Sequence, residues 1–343
     1  MKHPYKTDIA VLMLFFNRPE TFQQAFDAVK ASRPSKLLLY QDGPREGNEK
    51  DRKGMEACRR IASDENIDWE CEVHRHYCAH NQGCDPSGFL SQKWAFSLAD
   101  KVAVVEDDVV PAPSFLPFCK EMLDRYEHDE RVGMIAGFNT DERTPDVCDD
   151  YFFTTNFSIW GWASWSRVIG KRSADYAFLD DAEAVSRLQA LTEERKLRRD
   201  FLPMCQAHRL SGKAYFETIF QSQLLLQSQM TIVPRVNMIN NVGVTDDSTH
   251  FAGSISTLPH GYRRIFTMGR YDLVFPLKHP RYVVEHVEYR HRVYRTMGWR
   301  SPWIKVGRSL EELYLNVKHG NWAFIAQSVR NRIRKWMGKT AYR

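Results

Sequence analysis

The sequence lacks any apolar run of about 18 residues or more, the length a helix needs to cross a bilayer. Met1 to Asp8 lacks the apolar region of a signal peptide, and Ile9 to Phe16 is too well punctuated to supply one. There is no Gly-x-Gly-x-x-Gly and no Gly-x4-Gly-Lys-Ser/Thr, so dinucleotide-binding and P-loop folds lose support. There is no Cys-x2-Cys pair either. The seven cysteines are odd in number and irregularly spaced, which fits reduced thiols in a cytoplasm better than a disulfide framework. No internal repeat and no low-complexity tract is found. What remains is an ordinary globular composition, 43% apolar and 27% charged, in 343 residues, enough for one or two domains. A formal charge of +5 suggests an anionic partner or surface without demanding nucleic acid, and none is expected.

Strands and helices alternate over roughly the first 140 residues. Ile9 to Phe16 reads as a buried strand, and Asn17-Arg18-Pro19-Glu20 as a helix start with Asn17 as cap. Leu37 to Tyr40, Trp69 to Cys78, Val102 to Val105 and Val132 to Phe138 read as further strands, with helices between. This pattern predicts an α/β fold with a mostly parallel sheet flanked by helices. Thr231 to Val236 carries Pro234 and reads as an edge strand. Ser114 is a plausible cap for the helix that follows it.

The stretch Val102 to Asp108 organises the chain. An apolar, β-branched run ends abruptly in Glu106-Asp107-Asp108, and Pro111 and Pro113 forbid a helix before Ser114. In open α/β sheets the ligand lies beyond the carboxyl ends of the strands. Three acids there repel one another unless a cation neutralises them, and oxygen ligands of this kind suit Mg²⁺ or Mn²⁺. Arg18 and Asp42 also follow strands directly. If those strands are neighbours, a base, a hydrogen-bonding acid and an acid cluster converge on one edge and fit a nucleotide diphosphate. The alternative is a set of unrelated loop-tip charges.

Taken together, strand-Asn-Arg-Pro-Glu, Gln-Asp-Gly, Asn-x-Gly, Val-Val-Glu-Asp-Asp with its Ala-Pro-x-Phe continuation, Trp-Gly-Trp-x-x-Trp and a late Asn-x-Gly…Asp-x-Thr-His resemble the GT-A fold glycosyltransferases. The closest group is the bacterial family 2-like enzymes related to N-acetylglucosaminyltransferase I, and the similarity runs from about Ile9 to Phe251. The resemblance implies a GT-A (nucleotide-diphospho-sugar transferase) fold. It implies that Asp108 and His250 serve the metal and diphosphate, and that Asp107 contacts ribose. It sets Glu106 facing the donor sugar and Asp42 contacting the nucleoside, with Arg18 and Asn81 at the donor pocket. Relatives carry Trp-Asp-x-Gln before the Val-Pro strand. Phe216-Glu217-Thr218-Ile219 stands there instead, which makes Glu217 the candidate base, with Asp246 and Asp247 next in line.

Three other patterns need a reading. Cys71, His74, His76, Cys78, His80 and Cys84 crowd into fourteen residues, but ligands in a row along one strand face cannot close a zinc tetrahedron. Trp160 and Trp162 are read, with Trp165, as a wall of the sugar pocket, because Ser158 to Ser166 has no clean helical or strand period. Core packing is the alternative. In the tail, Trp322, Ile325, Val329, Ile333 and Trp336 recur at helical steps among arginines and lysines, the pattern of a membrane-surface helix. Docking on the catalytic domain is the alternative there.

These readings predict a catalytic domain over 1–257, its donor half about 1–140 and its acceptor half about 141–257, and a basic accessory segment over 258–343. The expected activity is metal-dependent, inverting transfer of a sugar from a nucleotide-diphospho-sugar, UDP-sugar favoured, to a hydroxyl on a saccharide or lipid-linked acceptor. The expected place is the cytoplasm, peripheral on the inner face of its membrane. A sugar-phosphate nucleotidyltransferase and a non-catalytic carbohydrate-binding scaffold are the rivals.

Overall fold

The computed structural model describes residues 2–191, 194–243 and 255–336. Among them, strands and helices alternate as the periodicity predicts: β1 (Thr7–Phe15), α1 (Pro19–Ser32), β2 (Pro34–Gln41), α2 (Glu49–Ile61), β3 (Glu72–Tyr77), α3 (Cys84–Leu98) and β4 (Lys101–Glu106). Then come β5 (Val109–Pro111), α4 (Phe115–Arg125), β6 (Val132–Ala136), β7 (Tyr151–Thr154), β8 (Trp162–Trp165) and a short α5 (Ser166–Ile169). Next are α6 (Ala182–Leu191) and α7 (Arg195–Ser211), and α8 (Phe216–Leu226) leads into β9 (Met230–Pro234) and β10 (Ile239–Asn241). Four helices close the described chain: α9 (His260–Thr267), α10 (Val287–Thr296), α11 (Pro302–Lys318) and α12 (Trp322–Trp336). Among the described residues no helix is long and apolar enough to cross a membrane.

The fold is mixed α/β, with one eight-stranded central sheet in the order β3-β2-β1-β4-β8-β6-β9-β7 and helices on its faces. The run β3-β2-β1-β4 is parallel, β6 pairs parallel with β9, and only β8 and β7 run against the rest. Val11, Leu12 and Met13 of β1 and Leu37, Leu38 and Leu39 of β2 are wholly buried, as strands covered on both faces must be. From β1 the chain winds outward through β2 and β3 and then returns to β4 on the other side of β1. The gap between the carboxyl ends of β1 and β4 is therefore a topological switch point, the usual ligand crevice of open α/β sheets.

Several local expectations are corrected. β9 is not an edge strand: it lies between β6 and β7, and Pro234 is tolerated because it is the strand's last residue. Asn17 does not cap α1; Arg18 holds that position without a side-chain bond, and the Asn17 amide donates to Asp51 at 2.7 Å. Ser114 does not cap α4. Its hydroxyl donates to Asp272 (2.7 Å) and accepts from the Leu273 N–H (3.0 Å).

Those two bonds belong to a wider docking of the segment after 257. Ile265, Met268, Leu273 and Leu277 join the same core as β1 and β4. Asn237 and Asn240 donate to the Gly269 and Met268 carbonyls at 2.9 and 2.8 Å. Part of the segment after 257, expected as accessory, thus shares the core of the central sheet.

Candidate functional site

β1 and β4 pair in register from Ala10–Val102 to Leu14–Glu106, so the residues beyond them emerge side by side. Arg18 leaves the first strand and the acid triplet leaves the second. The Arg18 guanidinium donates through Nη2 to Asp107 Oδ1 and, at 3.1 Å, to Asp108 Oδ2. The Phe16 N–H donates to Asp107 Oδ2 at 3.3 Å. Burial alone would lower the Arg18 pKa, but Asp107 and then Asp108 outweigh it and hold the guanidinium charged. Burial pushes Asp107 up while Arg18 pulls it back. Among the described residues no cation pairs with Glu106 in this way: burial raises it well above the ordinary carboxylate range, and Asp108, Asp107 and Glu217 add repulsion that Arg18 only partly offsets.

Asp108 is fixed from a second direction. β10 pairs antiparallel with β5, the Val242 N–H donates to the Asp108 carbonyl (2.8 Å), and the Asn241 amide donates to Asp108 Oδ1 (3.2 Å). Gly243 then passes so close that an added Cβ would lie 1.9 Å from Asp108 Oδ2. A side chain there would force Asp108 or the turn to shift.

A cavity of 530 Å³ opens at this switch point, within the usual range for a small-molecule site. Arg18, Glu106, Asp108, Asn241 and Glu217 form its polar end. Glu217 arrives on the first turn of α8, where the helix dipole favours a carboxylate. Gly88 of α3 lets α8 come this near, since a Cβ there would meet the Phe216 ring at 2.5 Å. The other end is aromatic and aliphatic. Trp160 stacks edge-on to Phe138 (4.9 Å) and against Phe266 of α9 (5.4 Å), and Tyr262, Ile265 and Val293 complete that wall. Cys84, at the start of α3, lines the cavity too; burial and then Glu106 push its thiol up to about 12, so it stays protonated.

The geometry therefore brings Arg18, Glu106, Asp108, Trp160 and Glu217 onto one cavity. Asp107, 4% exposed, faces Arg18 instead. Asp42 fills its acceptor capacity within the fold. It takes the N–H groups of Gly43, Gln82 and Gly83 and the Asn81 amide, at 2.8–3.1 Å, and so ties the 81–83 loop to the end of β2. Trp162 is corrected: it is fully buried, packed on Phe220 at 5.1 Å, and cannot touch a sugar. Trp165 is core as well, its indole N–H donating to the Leu123 carbonyl (2.9 Å). Both sit on β8 between two strands, so their period is that of a buried strand after all. Asp246, Asp247 and His250 lie outside the described residues. Tyr262, Ile265, Phe266 and Val293 were not foreseen; the three-to-four-residue spacing of the first three was the only signal.

The histidine- and cysteine-rich stretch has its own packing. His76 stacks on Tyr40 at 5.0 Å, Cys78 lies 3.1 Å from the Tyr40 hydroxyl, and His74 contacts Glu72 at 2.6 Å. Among the described residues no group of three or more His, Cys, Asp or Glu side chains could hold a metal ion unaided. The donors at the switch point are hard carboxylate oxygens, and Arg18 and Asn241 already occupy part of Asp108. That set fits Mg²⁺ or Mn²⁺ held by one or two carboxylates, Asp108 with Glu106, and completed by substrate phosphates.

No family model matches the chain, and no curated protein matches it. Among solved structures it is similar to a UDP-glucose pyrophosphorylase complexed with UDP-glucose, at 8% identity and a TM-score of 0.35, covering 68% of this chain and 92% of that one. It is also similar to the inositol-1-phosphate CTP transferase from T. maritima, at 10% identity and 0.34, covering 78% and 97%. A third is 4-diphosphocytidyl-2C-methyl-D-erythritolsynthase from Anaerococcus prevotii, at 10% and 0.30, covering 52% and 77%. Overlaps of this size carry no argument about activity.

Proposed function

We propose that this chain is a metal-dependent glycosyltransferase of the GT-A type, moving a sugar from a nucleotide-diphospho-sugar, UDP-linked by preference, to an acceptor hydroxyl. The observation that carries the reading is the convergence of Arg18, Glu106, Asp108 and Glu217 on one cavity at the sheet's switch point. Bound Mn²⁺ or Mg²⁺ would neutralise the diphosphate leaving group. Arg18 keeps the acid pair from repelling that group and orients Asp108 toward it. Glu217 accepts the proton of the acceptor hydroxyl, which attacks the anomeric carbon from the face opposite the leaving group and inverts it. Inversion, and the role of His250 in the loop that closes over the diphosphate, come from the family resemblance, and Asp246 and Asp247 are the bases next in line after Glu217. Trp160 and Phe266 offer apolar faces for a sugar or an acceptor to stack on. Asp42 acts at one remove, holding Asn81 at the donor side. Lipid-linked saccharides are the acceptors that a chain with this basic tail would meet, at the inner face of the cytoplasmic membrane.

A sugar-phosphate nucleotidyltransferase is the second reading, since it would use the same crevice and cation. It needs a glycine- and lysine/arginine-rich first loop, and Phe16-Asn17-Arg18-Pro19 does not supply one. Titration calorimetry with UDP, GDP, dTDP and CMP, with and without Mn²⁺, tests the site on wild type and Asp108→Ala. Metal-dependent binding of one nucleotide that vanishes in the variant supports a donor pocket; no binding of any returns the chain to the scaffold reading. Release of nucleoside diphosphate rather than pyrophosphate then separates the two enzymes.

A further inference from the structure

α11 is docked by one side only. The Arg308 guanidinium lies 4.3 Å over the Tyr262 ring of α9, Glu311 Oε1 accepts from the His260 N–H (2.8 Å), and Asn316 is 3% exposed. The opposite side carries Trp303, Val306, Leu310, Leu313, Tyr314 and Val317, all exposed, Trp303 by 78% and Leu310 and Tyr314 by 63% each. At 3.6 residues per turn these six fall within an arc of about 100°, the stripe of a helix that buries one face. Trp322, Val329 and Ile333 continue the exposed apolar surface on α12. The charge is equally one-sided: residues 313–343 hold seven lysines and arginines and no aspartate or glutamate.

We infer that α11 and α12 together form a docking surface for an anionic lipid bilayer, with the α11 stripe as the inserted face. An apolar stripe that runs on into a tail whose formal charges are all positive is matched by acyl chains beneath acidic headgroups. A second copy of the chain matches it less well, because two such tails would bring like charges together. The contact also bears on the proposed transfer, though it does not depend on it. Arg308 and Tyr262 link α11 directly to the α9 wall of the cavity, so a docked chain would hold its apolar end near the membrane.

Flotation of the full chain with vesicles of phosphatidylcholine, alone or mixed with phosphatidylglycerol, tests this. The chain should rise with the mixed vesicles only, and added salt should release it. Leu310→Ser with Tyr314→Ser, both on the exposed face, should weaken binding at least about tenfold. Nucleotide calorimetry on the same preparations should not change. Equal recovery in the soluble fraction with both vesicle types overturns the inference. So does light scattering that finds a dimer which the double variant dissolves. Flotation without nucleotide binding would remove the transferase reading and leave this one standing.

Discussion

Arg18 Nη2 bridges Asp107 and Asp108 beyond the carboxyl ends of β1 and β4, so one guanidinium joins the two neighbouring strands at which the strand order reverses. Asp107 is buried against it, and removing one partner of a buried pair leaves the other uncompensated. Arg18→Ala should destabilise the fold by about 3 kcal/mol, the low end for such pairs because Arg18 keeps 24% side-chain exposure. Urea midpoints of wild type and variant measure it. An unchanged midpoint would mean that the pair contributes nothing to stability.

Glu106 sets a pH dependence of the opposite sign to most carboxylates. Its folded pKa is raised, so the folded chain keeps this proton where the unfolded chain has lost it. The contribution is full below the ordinary glutamate value and is lost as pH rises through the folded one. Glu106→Gln should flatten that slope and leave the metal-free protein more stable than wild type once pH has risen through the folded value. Thermal unfolding followed upward from the ordinary glutamate value checks both. A glutamine variant less stable than wild type above the folded value would contradict the assignment.

Glu217→Gln separates proton transfer from binding. The amide keeps the shape and the place on α8 but cannot accept the proton, so turnover should fall by roughly 10²–10⁴-fold while nucleotide affinity holds. Initial rates and calorimetry on one preparation give both numbers. Retained turnover would move the base to Asp246 or Asp247.

Trp160 and Trp162 stand two residues apart and belong to different parts of the molecule. Trp162→Ala should cost about 3–5 kcal/mol as a core truncation. Trp160→Ala, on the cavity wall, should cost less in stability and show its effect in ligand affinity. Denaturation midpoints alongside binding curves distinguish them, and equal destabilisation would place both in the core.

That pair also marks how far the sequence could be read. The strands of the first 140 residues were legible because buried parallel strands declare themselves as apolar runs, and the residues just past β1 and β4 must then meet at one edge. The Glu106 triplet and Arg18 follow from that alone. β8 was not legible, because its four residues follow Gly161 and include Ser164, so they show neither an alternation nor an apolar run. Nor was the role of α9 and α10: Tyr262 and Val293 reach the cavity only through docking across Asn237, Asn240 and Asp272, contacts far apart in the chain. Asp42 was read from its position after β2, and its hydrogen-bond capacity proved to be spent on the 81–83 loop, a fact that no spacing reveals.

Gly243 is the sharpest test of whether Asp108 is the centre of the site. It sits two residues beyond Asn241, whose amide holds Asp108 Oδ1, and its missing side chain leaves room for Oδ2. A methyl group 1.9 Å from that oxygen cannot coexist with it. Either the carboxylate rotates away from Arg18 and Asn241, or the β10 turn lifts off β5. Both displace Asp108 without changing its charge. Gly243→Ala should therefore abolish metal-dependent nucleotide binding as completely as Asp108→Ala, while circular dichroism stays that of wild type. Gly212, at the end of α7 with open space around it, is the control: Ala there can strain only its own left-handed turn, so the donor site should be untouched. If Gly243→Ala binds nucleotide and metal normally, the position of Asp108 does not matter to within about 1 Å. A metal-ligating carboxylate tolerates no such freedom, because misplacement on that scale costs on the order of 10²-fold in rate.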